Sequence, residues 1–186
     1  MDMIELQRAL GLTADGQRGP VTTAAILKAA DDGRLTVTEA VAPPKLINVP
    51  NVDDIPDSGD ARLTGVKSVL ADLIREASAR CETPFTVIEG LRTAERQRQL
   101  VAAGASKTLN SRHLTGHAVD LWPLDPTTGK ALPAGTKTAE ARLWADLRAI
   151  AAVVKAVAKE RGVLIEWGGD WGWDAPHFQL NRTAYP

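Results

Sequence analysis

All three histidines of this 186-residue chain lie in two polar, glycine-containing segments. One runs Ser111-Arg112-His113-Leu114-Thr115-Gly116-His117-Ala118-Val119-Asp120. The other runs Trp167-Gly168-Gly169-Asp170-Trp171-Gly172-Trp173-Asp174-Ala175-Pro176-His177-Phe178. Imidazole and carboxylate are good donors to borderline divalent ions, and a hydrolytic zinc site needs three such ligands with one coordination position left for water. The two segments can provide them. A turn at Gly116 could bring His113 and Asp120, the latter on the following strand, to one metal from different directions, and His177 at the start of the last strand could be the third ligand. A rival assignment pairs His113 with His117 as an i, i+4 helical zinc site; it needs a helix through Thr115-Gly116 and lacks the glutamate of HExxH. If this stretch is extended, alternation puts His117 and Asp120 on opposite faces, so that His117 backs a ligand or faces solvent. The single cysteine, Cys81, cannot form an internal disulfide and leaves no Cys-rich zinc finger or iron–sulfur site.

The elements that must position these groups are visible as periodicity. Val66, Val69, Leu70, Leu73, Ile74 and Ala77 form an i, i+3, i+4 stripe that predicts a helix ending near Cys81. Phe85-Thr86-Val87-Ile88 reads as a short strand, and Thr93 as the N-cap of a second helix stopping at Gly104. Ala118 to Trp122 reads as a strand stopped by Pro123. Leu143, Leu147, Ile150, Val154 and Val157 mark a third helix reaching Gly162, and Val163-Leu164-Ile165 and His177-Phe178-Gln179-Leu180 read as two more strands. Helices and strands do not alternate as βαβ units, so the expected class is α+β with a small, mainly antiparallel sheet and flanking helices.

Upstream, Val41 to Asp60 carries Pro43, Pro44, Pro50 and Pro56 and reads as a semi-rigid linker over residues 41–60. Residues 1–40 read as short helices around a turn. Leu6-Gln7, Leu10-Gly11-Leu12, Asp15-Gly16, Gly19-Pro20, Thr22/Thr23 and Ala25-Ile26 resemble the peptidoglycan-binding helical module, shortened before Leu6; a plain helical hairpin fits the same residues. Residues 61–186 form the second unit.

Within that unit Ser111, His113, Gly116, Ala118 and Asp120 spell Ser-x-His-x-x-Gly-x-Ala-x-Asp, followed by Asp174 and His177 as Asp-x-x-His and preceded by Gly90-Leu91-Arg92-Thr93 with Gln97. Over roughly residues 62–182 this resembles the zinc peptidases of family M15, of the VanY and phage endolysin type. The Asp-x-x-His ending and the Ser-Arg-His-Leu-Thr-Gly segment are most similar to phage L-alanyl-D-glutamate endopeptidases. The resemblance implies the hedgehog-like peptidase fold and Zn²⁺ held by His113, Asp120 and His177, with Asp174 as the general base that takes a proton from the attacking water and returns it to the leaving amine. It implies substrate contacts from Arg92, Ser111 and Gln97, with Arg92 polarising the scissile carbonyl or pairing with a substrate carboxylate. An ion pair of Arg92 with Glu89 or Glu95, and Ser111 as a turn former, are the plainer readings. Asp170 could orient a ligand histidine; Trp167 reads as a core anchor, while Trp171 and Trp173 fit either core or cleft wall.

The implied activity is a peptidoglycan-degrading endopeptidase of the endolysin type, cleaving the stem peptide, with D,D-carboxypeptidase action or non-catalytic wall binding as alternatives. The implied partner is bacterial peptidoglycan, to which an N-terminal module would tether the enzyme and so raise local substrate concentration. A net charge of −1 and a pI near 6.3 give no general attraction to nucleic acid or anionic lipid. The most apolar later stretch, Ala149 to Ala158, is about half the ~20 residues a membrane span needs, and a monomer without stable membrane insertion is expected. No Sec signal is visible at the N-terminus, which suits synthesis in a host cytoplasm and later release to the wall.

Overall fold

The computed structural model describes residues 59–186. The helical module expected over residues 1–40 and the linker as far as residue 58 lie outside the described residues. Gly59 and Asp60, assigned to the linker by composition, belong to a 3-10 turn, Gly59–Leu63, laid against the first strand.

In chain order the elements are α1 (Ser68–Arg80), β1 (Phe85–Glu89), α2 (Ala94–Ala102), β2 (Ala118–Pro123), α3 (Lys137–Glu160), β3 (Ile165–Trp167) and β4 (His177–Leu180). The four strands form one antiparallel sheet in the order β1-β2-β4-β3. The α+β expectation therefore holds.

Local chemistry explains most boundaries. Thr93 caps α2 by accepting from the Arg96 amide, and Thr136 caps α3 by accepting from Ala139. At the other end of α3, Gly162 at φ 66° and the bond from Val163 N–H to Ala158 O close a Schellman cap. Val163 is consumed by that cap, its side chain buried against the core, so the strand expected over 163–165 begins two residues later.

Leu143, Leu147, Ile150, Val154 and Val157 of α3 are all essentially inaccessible to solvent. They form one core with Leu70, Leu73 and Ile74 of α1 and with Val119, Leu121, Phe178 and Leu180 of the sheet. Each such side chain contributes about 1.5–3 kcal/mol on burial. Because strand side chains alternate, the residues between these apolar ones, Asp120 on β2 and His177 and Gln179 on β4, point to the opposite face. The core that holds the sheet to the helices thereby orients a polar row on its far side.

Candidate active site and metal centre

Asp120 and His177 are direct cross-strand partners in the β2–β4 register, although 57 positions apart in the chain. His113 reaches them from a 3-10 turn, Arg112–Thr115, whose N-cap Ser111 accepts a bond from the His113 amide. The turn ends at Gly116, at φ 69°, a conformation L-residues rarely adopt. A Cβ there would also stand 2.3 Å from Gly65 O. The chain therefore reverses at Gly116 instead of continuing as a helix, so the His113/His117 pairing does not form. His117 stands apart with Nδ1 2.7 Å from Thr115 Oγ1, its pKa lowered by burial and then by Arg112 and Lys67.

The three remaining groups converge. His113 Nε2 lies 3.2 Å from Asp120 Oδ1, His177 Nδ1 lies 3.0 Å from the same oxygen, and the two ring nitrogens are 3.2 Å apart. All three residues are buried. Among the described residues this is the group of histidine and carboxylate side chains able to hold a metal ion.

The outer ring nitrogens test the fit. His113 Nδ1 is 2.8 Å from the Gly90 carbonyl and His177 Nε2 is 3.1 Å from Gln179 Oε1. Oxygens of this kind only accept, so both outer nitrogens carry hydrogen and, in the neutral rings, both inner nitrogens present lone pairs. Two lone pairs and a carboxylate oxygen then face one another with no donor between them, an arrangement that a cation relieves. Without one, a proton must serve. Burial lowers the His177 pKa, but the Asp120 hydrogen bond and charge, helped by Asp174, leave it raised. Burial likewise raises the Asp120 carboxyl, yet the two histidines outweigh it and hold it far below the usual carboxylate range. The donor set suits zinc, whose binding would displace that proton.

Asp174 lines the same cleft as His113, Asp120 and His177, a cavity of about 280 Å³. Its pKa is pushed up to about 6, first by burial and then by the Asp120 charge, against the pull of His177, His113 and Arg92. Its peptide packs on Gly168: a Cβ at Gly168 would sit 2.2 Å from Asp174 O and 2.9 Å from Asp174 Cβ.

Arg92 also borders the cleft, but most of its donors are engaged. Nε and Nη2 donate to the two Glu89 oxygens at 2.7 and 2.6 Å, and Nη1 donates to Gln97 Oε1 at 2.7 Å. Nη2 also stands 3.5 Å from Asp120 Oδ2. The ion pair with Glu89 anticipated as the plainer reading is therefore present, buried on its Arg92 side and half-buried at Glu89, and it sits directly behind Asp120. Gln97 is buried with both ends of its amide occupied, Nε2 donating to Ser106 Oγ and Thr108 O. Its place is beneath Arg92, and it does not line the cleft. Ser111 does.

Trp167 is buried, stacked on Phe178 with Nε1 donating to Ala175 O, as expected of a core anchor. Trp171 and Trp173 wall the cleft, Trp171 5.5 Å from the His177 ring and Trp173 under the Lys107 ammonium at 4.6 Å. Asp170 does not approach a ligand histidine; it pairs with Lys155 at 2.7 Å on the surface, because the 3-10 turn Gly168–Trp171 carries it toward α3.

Sequence reasoning passed over Glu89, the Gly90 carbonyl, Glu166 and Gln179 as parts of the site. Gln179 was open to it, since i, i+2 spacing from His177 on a strand puts both on one face. Glu89 was not: β1 carries an irregularity between Val87 and Glu89, so that Glu89 pairs with Asp120 where regular pairing would place Ile88.

An antiparallel sheet bearing a buried His-Asp-His group able to hold one metal ion, with an adjacent carboxyl in the same cleft, has the layout of a hydrolase site. The family model for phage L-alanyl-D-glutamate peptidase matches residues 55–183, and the chain belongs to that family. It is similar to an L-alanyl-D-glutamate peptidase of Listeria phage A118, at 37% identity over 53% of this chain and 31% of the relative. It is also similar to one of Escherichia phage T5, at 30% identity over 69% of this chain and 89% of the relative. The match thus spans under a third of the first relative and most of the second. Among solved structures, Serratia marcescens L-Ala D-Glu endopeptidase ChiX superposes with a TM-score of 0.60 at 38% identity, covering 75% of this chain and 99% of that one.

Proposed function

We propose that this protein is a peptidoglycan hydrolase acting on the bacterial cell wall, cleaving the L-Ala–D-Glu amide of the stem peptide, with one Zn²⁺ held by His113, Asp120 and His177. The observation that carries this reading is the convergence of those three donors at 3.0–3.2 Å, beside Asp174 in one cleft, in a chain of this family. Bound there, the ion would supply Lewis acidity, bringing the pKa of a coordinated water to roughly 7 and polarising the scissile carbonyl.

The chain's own groups do the rest. Asp174 accepts the proton of the attacking water and hands it to the leaving amine, a task suited to a carboxylate whose burial has made it more basic. Arg92 holds Asp120 through its outer oxygen. Glu89 and Gln97 occupy three of its five N–H groups, leaving donors for Asp120 and for a carbonyl oxygen in the cleft. Ser111 orders the His113 turn and offers its hydroxyl to substrate. Residues 1–40 act in this reading as a wall-targeting module, testable by sedimentation with murein sacculi.

Mass spectrometry of a murein digest tests the reaction. New N-terminal D-Glu with terminal L-Ala is the expected product pair. Release of free D-Ala would show D,D-carboxypeptidase action instead, and wall binding without any product would show a non-catalytic protein.

Two further results are expected. In the metal-free protein the Asp174 carboxyl carbon should titrate in ¹³C NMR with a midpoint near 6, and zinc should move it lower, because a nearby positive charge favours the carboxylate. Gly168→Ala should bind zinc normally yet lose about 10²-fold in kcat, since the added methyl displaces the Asp174 peptide and an error of about 1 Å in a catalytic group costs that much. Wild-type turnover in Gly168→Ala would mean that Asp174 is positioned otherwise.

A further inference from the structure

On the cleft face of the sheet, Glu166 of β3 is the register partner of Gln179 on β4, which itself lines the cleft. Gln179 is 4% exposed, and its Nε2 donates to Glu166 Oε2 at 2.6 Å. The second Glu166 oxygen accepts from Asn181 Nδ2 at 2.8 Å. With both oxygens engaged, the carboxylate is fixed in place. A carboxylate cannot donate, so it tolerates only the NH₂ end of the Gln179 amide on its side, and the amide oxygen must turn the other way, toward His177 Nε2 at 3.1 Å.

The geometry points to Gln179, locked by Glu166 and Asn181, as a positioning residue that decides which nitrogen of His177 faces the metal. This rests on the reading of His113, Asp120 and His177 as ligands. An acceptor at Nε2 keeps the hydrogen there and leaves Nδ1 bare toward Asp120 and His113. His113 obtains the same service from the Gly90 carbonyl, which no side-chain substitution removes. For His177 the device is a side chain, and its direction depends on a second side chain one strand further out. Supports of this kind behind a metal-bound imidazole fix ring orientation and raise its basicity, and losing one typically costs 10–100-fold in metal affinity.

The test measures zinc affinity by competition with a chelator and, independently of turnover, the ring ¹⁵N shifts of His177 in the zinc-loaded protein. Gln179→Met keeps the side chain's length and removes the acceptor. It should weaken zinc binding 10–100-fold, and the His177 Nε2–H signal, sheltered in the wild type, should be lost to exchange. Glu166→Gln keeps the shape but allows the Gln179 amide to face either way; a loss of several-fold is expected. The exchange of both residues, Glu166→Gln with Gln179→Glu, restores a carboxylate acceptor to His177 and an amide donor behind it at unchanged net charge. It should recover most of the affinity, which a merely space-filling role would not bring about. If Gln179→Met does not fold, the Glu166→Gln and exchanged proteins still decide. Zinc affinities within threefold of wild type together with unchanged His177 signals would overturn the inference while leaving the metal site standing. A wild type that binds no zinc would overturn both.

Discussion

Asp174→Asn is expected to retain one zinc per chain and to lose about 10²–10⁴-fold in turnover of stem peptides, the range a positioned general base contributes. The amide keeps the size and polarity of the carboxyl but has no basic oxygen, and Asp174 is not among the three converging donors. Metal content and kcat should therefore separate. The same substitution should have the opposite effect on stability in the metal-free protein. The folded pKa of about 6 lies above the ordinary carboxylate value of 3.8, so folding favours the protonated form. Below pH 3.8 the group is protonated folded or unfolded and contributes nothing. As pH rises from about 4 to 6 the unfolded chain ionises while the native state still holds the proton, so wild-type stability falls, and above 6 the native state carries the buried charge at its full cost. Metal-free Asp174→Asn should thus melt above metal-free wild type at pH 8, with the gap closing as pH falls from about 6 to 4. Full activity in the variant would remove Asp174 from the role of base. A variant that melts no higher at pH 8 would show that Asp174 is not strained by its surroundings.

Removing the metal is expected to have the largest effect on the fold. Three buried acceptors face one another at the junction of β2, β4 and the 112–115 turn, and a bound dication would let them do so unprotonated. A ligand at a thousand times its Kd stabilises the native state by about 4 kcal/mol. For a domain of this size each kcal/mol moves the melting temperature by roughly 3–5 °C, so chelation should lower Tm by about 10 °C or more. Calorimetry with and without EDTA at pH 7.5 checks this. His113→Ala should melt no higher than the chelated wild type, since it also opens a cavity at a side chain that is 1% exposed, and added zinc should not shift it. A wild type indifferent to EDTA would contradict the assignment of these residues as a metal centre.

Much of the frame was legible in local sequence because local physics governs it. The apolar stripe of α3 can be satisfied only by a helix with one buried side, Thr93 caps α2 through a bond three residues long, and Gly116 permits a reversal that other residues resist. The same locality explains the misplaced strand. Val163 has the β-branched profile of a strand residue, but the helix before it needed a cap more than the sheet needed another residue. Asp170, equally, has the residue type to orient a ligand histidine, but the turn holding it sends it to Lys155.

From the order and type of its residues alone, this chain determined its helices, the family resemblance and the identity of the three converging donors. What only the tertiary structure decided is which strand lies beside which. Alternation says that Asp120 shares a face with its i±2 neighbours and His177 with Gln179, but it is silent on the partner strand. The burial of Phe178 and Leu180 beside Val119 and Leu121 against α3 sets that pairing, and it brings Asp120 opposite His177, Gln179 opposite Glu166 and, through the irregularity in β1, Glu89 and its Arg92 behind the Asp120 carboxylate. Contacts of that range carry no signature in any short window of sequence, because their energy comes from the closing of the core as a whole.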